Sequence, residues 1–291
     1  RGAVVGLAVL GLLTGIALLA PWLSPRDPIK TAPREALQGP GPRYLLGSDQ
    51  FGRDVLSRVL HGARISLTVG FISVSIAVSL GMPVGLASGY YGGRLDLLLM
   101  RIIDVMLAFP GILLALAIVS VLRPNLTNLM ISVGVAAVPT YARLIRATVL
   151  SAKETLYVEA ARAVGCRDLF VAVRCILPNV VAPLIVTATL GMGTAILAAA
   201  ALSFLGLGSQ PPQPEWGRML SEGRDYLREA WWISTFPGLG IMLTVLAMNL
   251  LGDGLRDVLD PRLKVSAFSE ARGSYPTRAK NHPCDPADSP G

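Results

Sequence analysis

The sequence predicts an all-α fold that crosses a membrane six times, and three observations carry that prediction. Of the 291 residues, 52% are hydrophobic and only 15% charged, whereas soluble domains carry about 25% charged residues. Apolar runs near the ~20 residues needed to cross the hydrocarbon recur along the chain. Mean hydropathy is +0.56, and the one long polar interruption between the later runs, residues 151–178, has the punctuation of a structured device.

The first span is Gly2–Leu23, directly after Arg1. It is longer than a signal-peptide core and lacks an A-x-A site after it, so a retained helix is expected. Because the chain opens on Arg rather than Met, further residues are expected upstream. The second span covers 65–90, with no charge between Arg64 and Arg94. The third, 97–121, carries Arg101 and Asp104, expected as a pair near the membrane surface. The fourth covers 126–150, with Arg143 and Arg146 in its last turns. The fifth starts after Pro178 and runs to residue 207, with an interruption allowed at Gly191 and Gly193. Gln210, Pro211, Pro212, Gln213 and Pro214 then end it, because prolines break helical hydrogen bonding in lipid. The sixth covers 231–251. There Asn249 is expected to make an interhelical hydrogen bond rather than touch a substrate.

Small residues four apart (Gly2 and Gly6; Gly11 and Gly15; Gly81, Gly85 and Gly89) mark helix packing. Trp216, Trp231 and Trp232 suit an interfacial belt. The divisions expected are 1–64, a first helix with its following loop; 65–264, a five-helix core; and 265–291, a disordered tail rich in Pro, Ser and Ala.

A net charge of +7 does not indicate nucleic acid, because the arginines flank apolar runs instead of sharing one face. Cys166, Cys175 and Cys284 are too few for a disulfide framework, and reduced thiols are expected. His61 and His282 have no partner at metal-ligand spacing. No G-x-x-x-x-G-K-[ST], G-x-S-x-G or H-E-x-x-H motif occurs. Positive charge in 151–178 and after Arg256 places both on the cytoplasmic side, but seven cations in the first loop oppose that assignment.

Residues 151–164 read as a helix with Leu156, Ala160, Ala163 and Val164 on one face. Gly165 is its left-handed stop. Asp168 starts a second helix with Leu169, Ala172, Val173 and Ile176 on its apolar side, and Pro178 restarts the next span. Small alanines on a contact face suit insertion into a partner's groove. The competing reading is a hairpin lying on lipid headgroups.

Glu159-Ala160-Ala161, then Gly165, then Leu177-Pro178 resembles the cytoplasmic EAA loop of ABC importer permeases, with Cys175 departing from that family's usual isoleucine. Residues 46–58 (Leu-Gly-Ser-Asp-Gln-Phe-Gly-Arg-Asp-Val-Leu-Ser-Arg), with Gly62-Ala63-Arg64, resemble the C-type subunit of the dipeptide, oligopeptide and nickel permeases. So do residues 202–208, Gln210-Pro211-Pro212, Glu215-Trp216-Gly217, Gly252-Asp253 and Leu259-Asp260-Pro261-Arg262.

The resemblance implies a type I ABC importer permease in a bacterial inner membrane, multi-pass, with cytoplasmic termini. It implies a second homologous permease, two cytoplasmic ATPase subunits that bind ATP and Mg, and an extracytoplasmic substrate-binding protein as partners. This chain itself would hold no cofactor and catalyse no reaction. Glu159, Ala160, Ala161, Gly165, Leu177 and Pro178 would couple to the ATPase. Gln210, Pro211, Pro212 and Trp216 would lie on an extracytoplasmic loop. Di- and oligopeptides are the implied cargo, with nickel or another small solute as the alternative. An ATPase-independent secondary transporter is the competing class.

Overall fold

A computed structural model describes residues 2–259. The tail expected at 265–291, Cys284, His282 and the end of the 259–262 motif lie outside the described residues. Among those described there are helices, turns and one isolated antiparallel bridge, Ser48–Asp54.

Helix α1 (Gly2–Leu23) matches the predicted first span. Its Gly6 lies against α10 (Trp232–Leu259), where an added Cβ would stand 2.8 Å from Ala247 O. Gly11 and Gly15 face open space, so that expected pair packs against nothing among the described residues. The outer face, including Val4, Leu12 and Leu18, is exposed, as befits lipid contact.

Helix α2 (Val55–Tyr91) begins ten residues before the predicted span. Asp54 sets that start: its carboxylate accepts the Ser57 amide at 2.8 Å. At 37 residues it is about 55 Å long, well over the ~30 Å hydrocarbon thickness. Its glycine stripe packs on α5 (Leu126–Lys153). A Cβ on Gly81 would meet Tyr141 Cβ at 2.9 Å, and one on Gly89 would meet Val149 Cβ at 2.8 Å. Lipid tails give helices no hydrophobic incentive to associate, so this close backbone approach supplies the attraction.

The predicted third span is broken. Helices α3 (Gly93–Leu107) and α4 (Gly111–Leu122) meet at 90°. Pro110 lacks an N–H and clashes with the preceding turn, which ends α3 there. Five helices are long and apolar enough to cross, and the bent pair makes a sixth crossing if counted as one. Asp104 does not pair with Arg101. It accepts from Arg143 Nη2 at 2.5 Å, while Asp96 takes a two-pronged contact from Arg146 at 2.6 and 2.7 Å. Both pairs pin α3 to α5.

Helix α8 (Leu177–Phe204) runs through Gly191 and Gly193 without interruption. It ends at Phe204, capped by Leu205, and α9 (Trp216–Gly223) follows the proline loop. Pro83, Pro139, Pro183 and Pro237 sit inside helices, tolerated because neighbouring helices shield the freed carbonyls.

At the end of the bundle where α2 begins, the first loop folds onto α9 and α10. Arg53 and Arg58, 3% and 1% exposed, bracket the Asp49 and Glu222 carboxylates. Arg53 Nε lies 2.5 Å from Asp49 Oδ2, and Glu222 Oε2 accepts from Arg53 at 2.8 Å and Arg58 at 3.1 Å. Glu35 pairs with Arg43 and accepts from the Tyr44 hydroxyl. Much of the first loop's positive charge, which opposed the predicted orientation, is therefore neutralised locally.

Trp216 and Trp232 are 1% and 7% exposed and do not form an interfacial belt; Trp231 is exposed. Trp232 Nε1 donates to Ser48 O at 3.0 Å, and Trp216 Nε1 donates to Val59 O at 3.0 Å. Gly47, at φ +83°, lies directly beneath the Trp232 indole, where no side chain fits.

Candidate functional site: the coupling segment and a central cavity

The polar interruption folds, but with different joints from those predicted. Helix α5 ends at Lys153, and a new helix, α6 (Leu156–Ala163), starts after Thr155. The predicted single helix over 151–164 is therefore two. Gly165, at φ +84°, stops α6 as expected. The Gly165 amide donates to Arg162 O at 2.9 Å and the Cys166 amide to Ala161 O at 3.1 Å, the paired bonds of a Schellman cap.

The proline restart does not occur. Helix α7 (Asp168–Phe170) leads into a π-helical stretch, Val171–Ile176, and then α8 without a break. Pro178 sits in the first turn of α8, where the missing N–H matters least. The register change is taken up by the wider π turns. Leu177 packs inward against the core and Pro178 is exposed.

Four of the six predicted coupling residues lie on or beside α6. Val158 is fully buried and Ala161 packs beside it. Glu159 and Ala160 point outward, with Leu156 at 84% and Val164 at 85% exposure. Leu169, Phe170 and Val173 extend this uncovered apolar surface. Ala160 and Ala161 therefore differ in role, one outward and one inward.

Tyr90 locks the segment to the bundle, a residue that sequence reasoning missed. Its hydroxyl donates to Asp168 Oδ1 at 2.7 Å, Lys153 Nζ donates to its carbonyl at 2.7 Å, and the Arg162 guanidinium lies 5.1 Å from its ring centroid. Tyr90 is only 4% exposed. The Tyr-Tyr pair at the end of a long apolar run was its one signal. Cys166 and Cys175 are free thiols, both half-buried, and the Cys175 carbonyl accepts from Asn179 Nδ2 at 3.1 Å.

At the opposite end, Gln210, Pro211 and Pro212 are exposed on a loop, with a cis bond between the prolines. Trp216 is instead the first residue of α9 and buried. Glu215 caps that helix, accepting the Gly217 and Arg218 amides at 2.8 and 2.9 Å. Burial pushes its carboxyl pKa above the usual range, against those bonds. A Cβ on Gly217 would stand 2.5 Å from Ala200 Cα, so α9 packs directly on α8. The Glu-Trp-Gly run is thus a structural joint.

A cavity of about 550 Å³ lies between α2, α4, α5, α8 and α10. Ser73, Thr140, Tyr141, Thr187, Thr194 and Asn249 supply its polar wall, and no charged residue lines it. Asn249 faces this space, and its side chain has no hydrogen-bond partner among the described residues, contrary to the interhelical bond expected.

Residues 81–265, more than half of the chain, match the family described as binding-protein-dependent transport system inner membrane component. Residues 1–40 match the N-terminal TM domain of oligopeptide transport permease C. The chain is 50% identical over 262 residues to the dipeptide transport system permease protein DppC of Alkalihalophilus pseudofirmus, covering 90% of this chain and 86% of that protein. Identity is 50% over 273 residues to the di/tripeptide transport system permease protein DppC of Pseudomonas aeruginosa, covering 92% and 90%. It is 47% over 260 residues to the glutathione transport system permease protein GsiD of Pectobacterium atrosepticum, covering 89% and 86%. The fold resembles a chain of the inward-facing MetNI methionine ABC transporter at TM-score 0.58 and 21% identity, covering 70% of this chain and 97% of that one. With its helices, its Schellman-capped loop and these relatives taken together, the chain belongs to the binding-protein-dependent transport inner membrane component family, as a multi-pass permease of ABC importers.

Proposed function

We propose that this permease carries di- and oligopeptides inward as one of two membrane subunits, paired with a homologous permease, two cytoplasmic ATPases and an extracytoplasmic binding protein. ATP and Mg would be bound and ATP hydrolysed in the ATPase subunits. The peptide assignment rests on relatives whose names specify dipeptide, di/tripeptide and glutathione transport. The termini and the 154–178 segment are cytoplasmic in this reading, and the first loop and the 205–215 loop extracytoplasmic.

One observation supports the coupling role above the others. Helix α6 is fixed to the bundle through Val158, Ala161 and the Tyr90–Asp168 bond, yet leaves Leu156, Glu159, Ala160 and Val164 uncovered. A helix held firmly on one side and apolar on the other suits a partner's groove. Glu159 would make the charged contact, Gly165 the turn, and Leu177-Pro178 the entry to α8. In the assembled transporter, Glu159→Lys and Gly165→Asp should each abolish peptide uptake while all subunits still co-purify. Wild-type uptake in both variants would remove the coupling role.

A further inference from the structure

Hydroxyl side chains along the spans follow a rule in this protein. Ser75, Ser120, Thr148, Thr189 and Thr244 each donate to the carbonyl four residues back, at 2.8–2.9 Å. That is the cheapest way to satisfy a hydroxyl where water is absent. Four polar side chains that make no such bond line one cavity: Thr140, Tyr141, Thr187 and Asn249. None has a hydrogen-bond partner among the described residues. Tyr141 is the strongest case. It is 2% exposed, wedged between Gly81 of α2 and Gly191 of α8, and its hydroxyl lies at the cavity wall. Their polar atoms are open to the cavity and not sealed in the core, so four unengaged polar side chains converge on one accessible space.

The chemistry of a ligand for that space follows from the wall. Neutral donors and acceptors from α5, α8 and α10 face a space with no charged lining residue. A peptide amide offers one donor and one acceptor per residue, the match for hydroxyl and carboxamide groups. We propose that Tyr141, Thr140, Thr187 and Asn249 form a binding site for the peptide backbone, so that passage is read through amide groups and is insensitive to side-chain charge. This rests on the reading of the chain as a peptide permease and specifies which residues of this subunit the cargo touches.

The test uses the complete transporter in proteoliposomes, with labelled dipeptides carrying an acidic, a neutral and a basic side chain. Tyr141→Phe and Asn249→Leu should each lower uptake about fivefold, the worth of one hydrogen bond, and equally for all three peptides. In a background with Cys166, Cys175 and Cys284 replaced by Ser, a Thr187→Cys variant should react with a small methanethiosulfonate, and transported peptide should slow that reaction. Unchanged uptake in both Tyr141→Phe and Asn249→Leu would overturn the site, as would a loss confined to one charge class or a Thr187→Cys reaction indifferent to peptide. Absence of peptide uptake by the wild-type assembly would instead remove the peptide reading itself.

Discussion

Glu222 is the sharpest place to perturb the end of the bundle that carries the first loop. Its carboxylate accepts from three guanidinium groups, at 2.8 Å from Arg53, 3.1 Å from Arg58 and 3.3 Å from Arg218. Asp49, the other acid, also accepts the Phe51 and Arg53 amides, so its removal would break the turn as well. Glu222→Gln keeps the shape and removes one charge. It leaves Arg53 and Arg58, both nearly inaccessible, to share Asp49 alone. Breaking a buried pair from one side costs about 3–5 kcal/mol, because the stranded charge keeps its desolvation penalty. A second change, Arg58→Met, restores one buried cation to one buried anion and should recover about 1–3 kcal/mol as a coupling energy. Trp216 and Trp232 sit at this same end, hydrogen-bonded to Val59 and Ser48, so tryptophan fluorescence during thermal unfolding in detergent reports it directly. Glu222→Gln within about 0.5 kcal/mol of wild type, the range of an ordinary surface change, would refute the assignment. Strictly additive losses in the double variant would refute the shared network.

Two further outcomes follow from the same packing and charge arguments. Gly85→Leu should destabilise by about 1–3 kcal/mol, since its Cβ would stand 2.5 Å from Ala142 O and 2.8 Å from Ile145 Cβ; Gly11→Leu, in open space, should leave the melting temperature of the purified subunit unchanged, and equal behaviour would contradict the α2–α5 seam. The Glu35 carboxyl is held below its usual value of 4.5, chiefly by the Tyr44 hydroxyl and then by Arg43 and Arg26 against some desolvation. A lowered folded pKa means this stabilisation is present above 4.5 and lost as pH falls through the lowered value. Hydrogen exchange at Leu37 and Ser48, corrected for intrinsic rates, should accelerate only on that acid side. PH-independent protection would contradict it.

The spans were legible because lipid leaves a simple signal: α1 coincides with its predicted limits, and α5 and α10 begin within one residue of theirs. What escaped was decided between segments. The capping of α2 by Asp54 needs only local sequence, but that start lies outside the apolar run and so outside a hydropathy criterion. The 90° bend at Pro110 was readable in principle, since Pro110 sits within the predicted third span. Trp216 and Trp232 carry the composition of an interfacial belt, and only Gly62 and Gly240, distant in sequence, make the pocket that buries Trp216. The coupling residues were found through resemblance and the Gly165 stop. Tyr90 and Tyr141 were not found, because each matters through partners dozens of residues away.

Continuity between α7 and α8 ties the two parts of the functional reading together. A hinge at Pro178 would have let the docking segment swing freely, dissipating any displacement at the membrane surface. Instead α7, the π turns and α8 form one uninterrupted rod from Asp168 to Phe204. Its near end is held by Tyr90 through Asp168, and its middle carries Thr187 and Gly191 at the cavity wall. The one irregular part of this rod is its π stretch, Val171–Ile176, a feature that often marks functional sites. Cys175 lies inside that stretch, half-buried against the core, and its neighbour Ile176 is fully buried. A displacement at α6 would, on the proposed coupling reading, reach the cavity along this continuous helix. On the proposed reading, the loop does mechanical work on the same helix that the cargo touches.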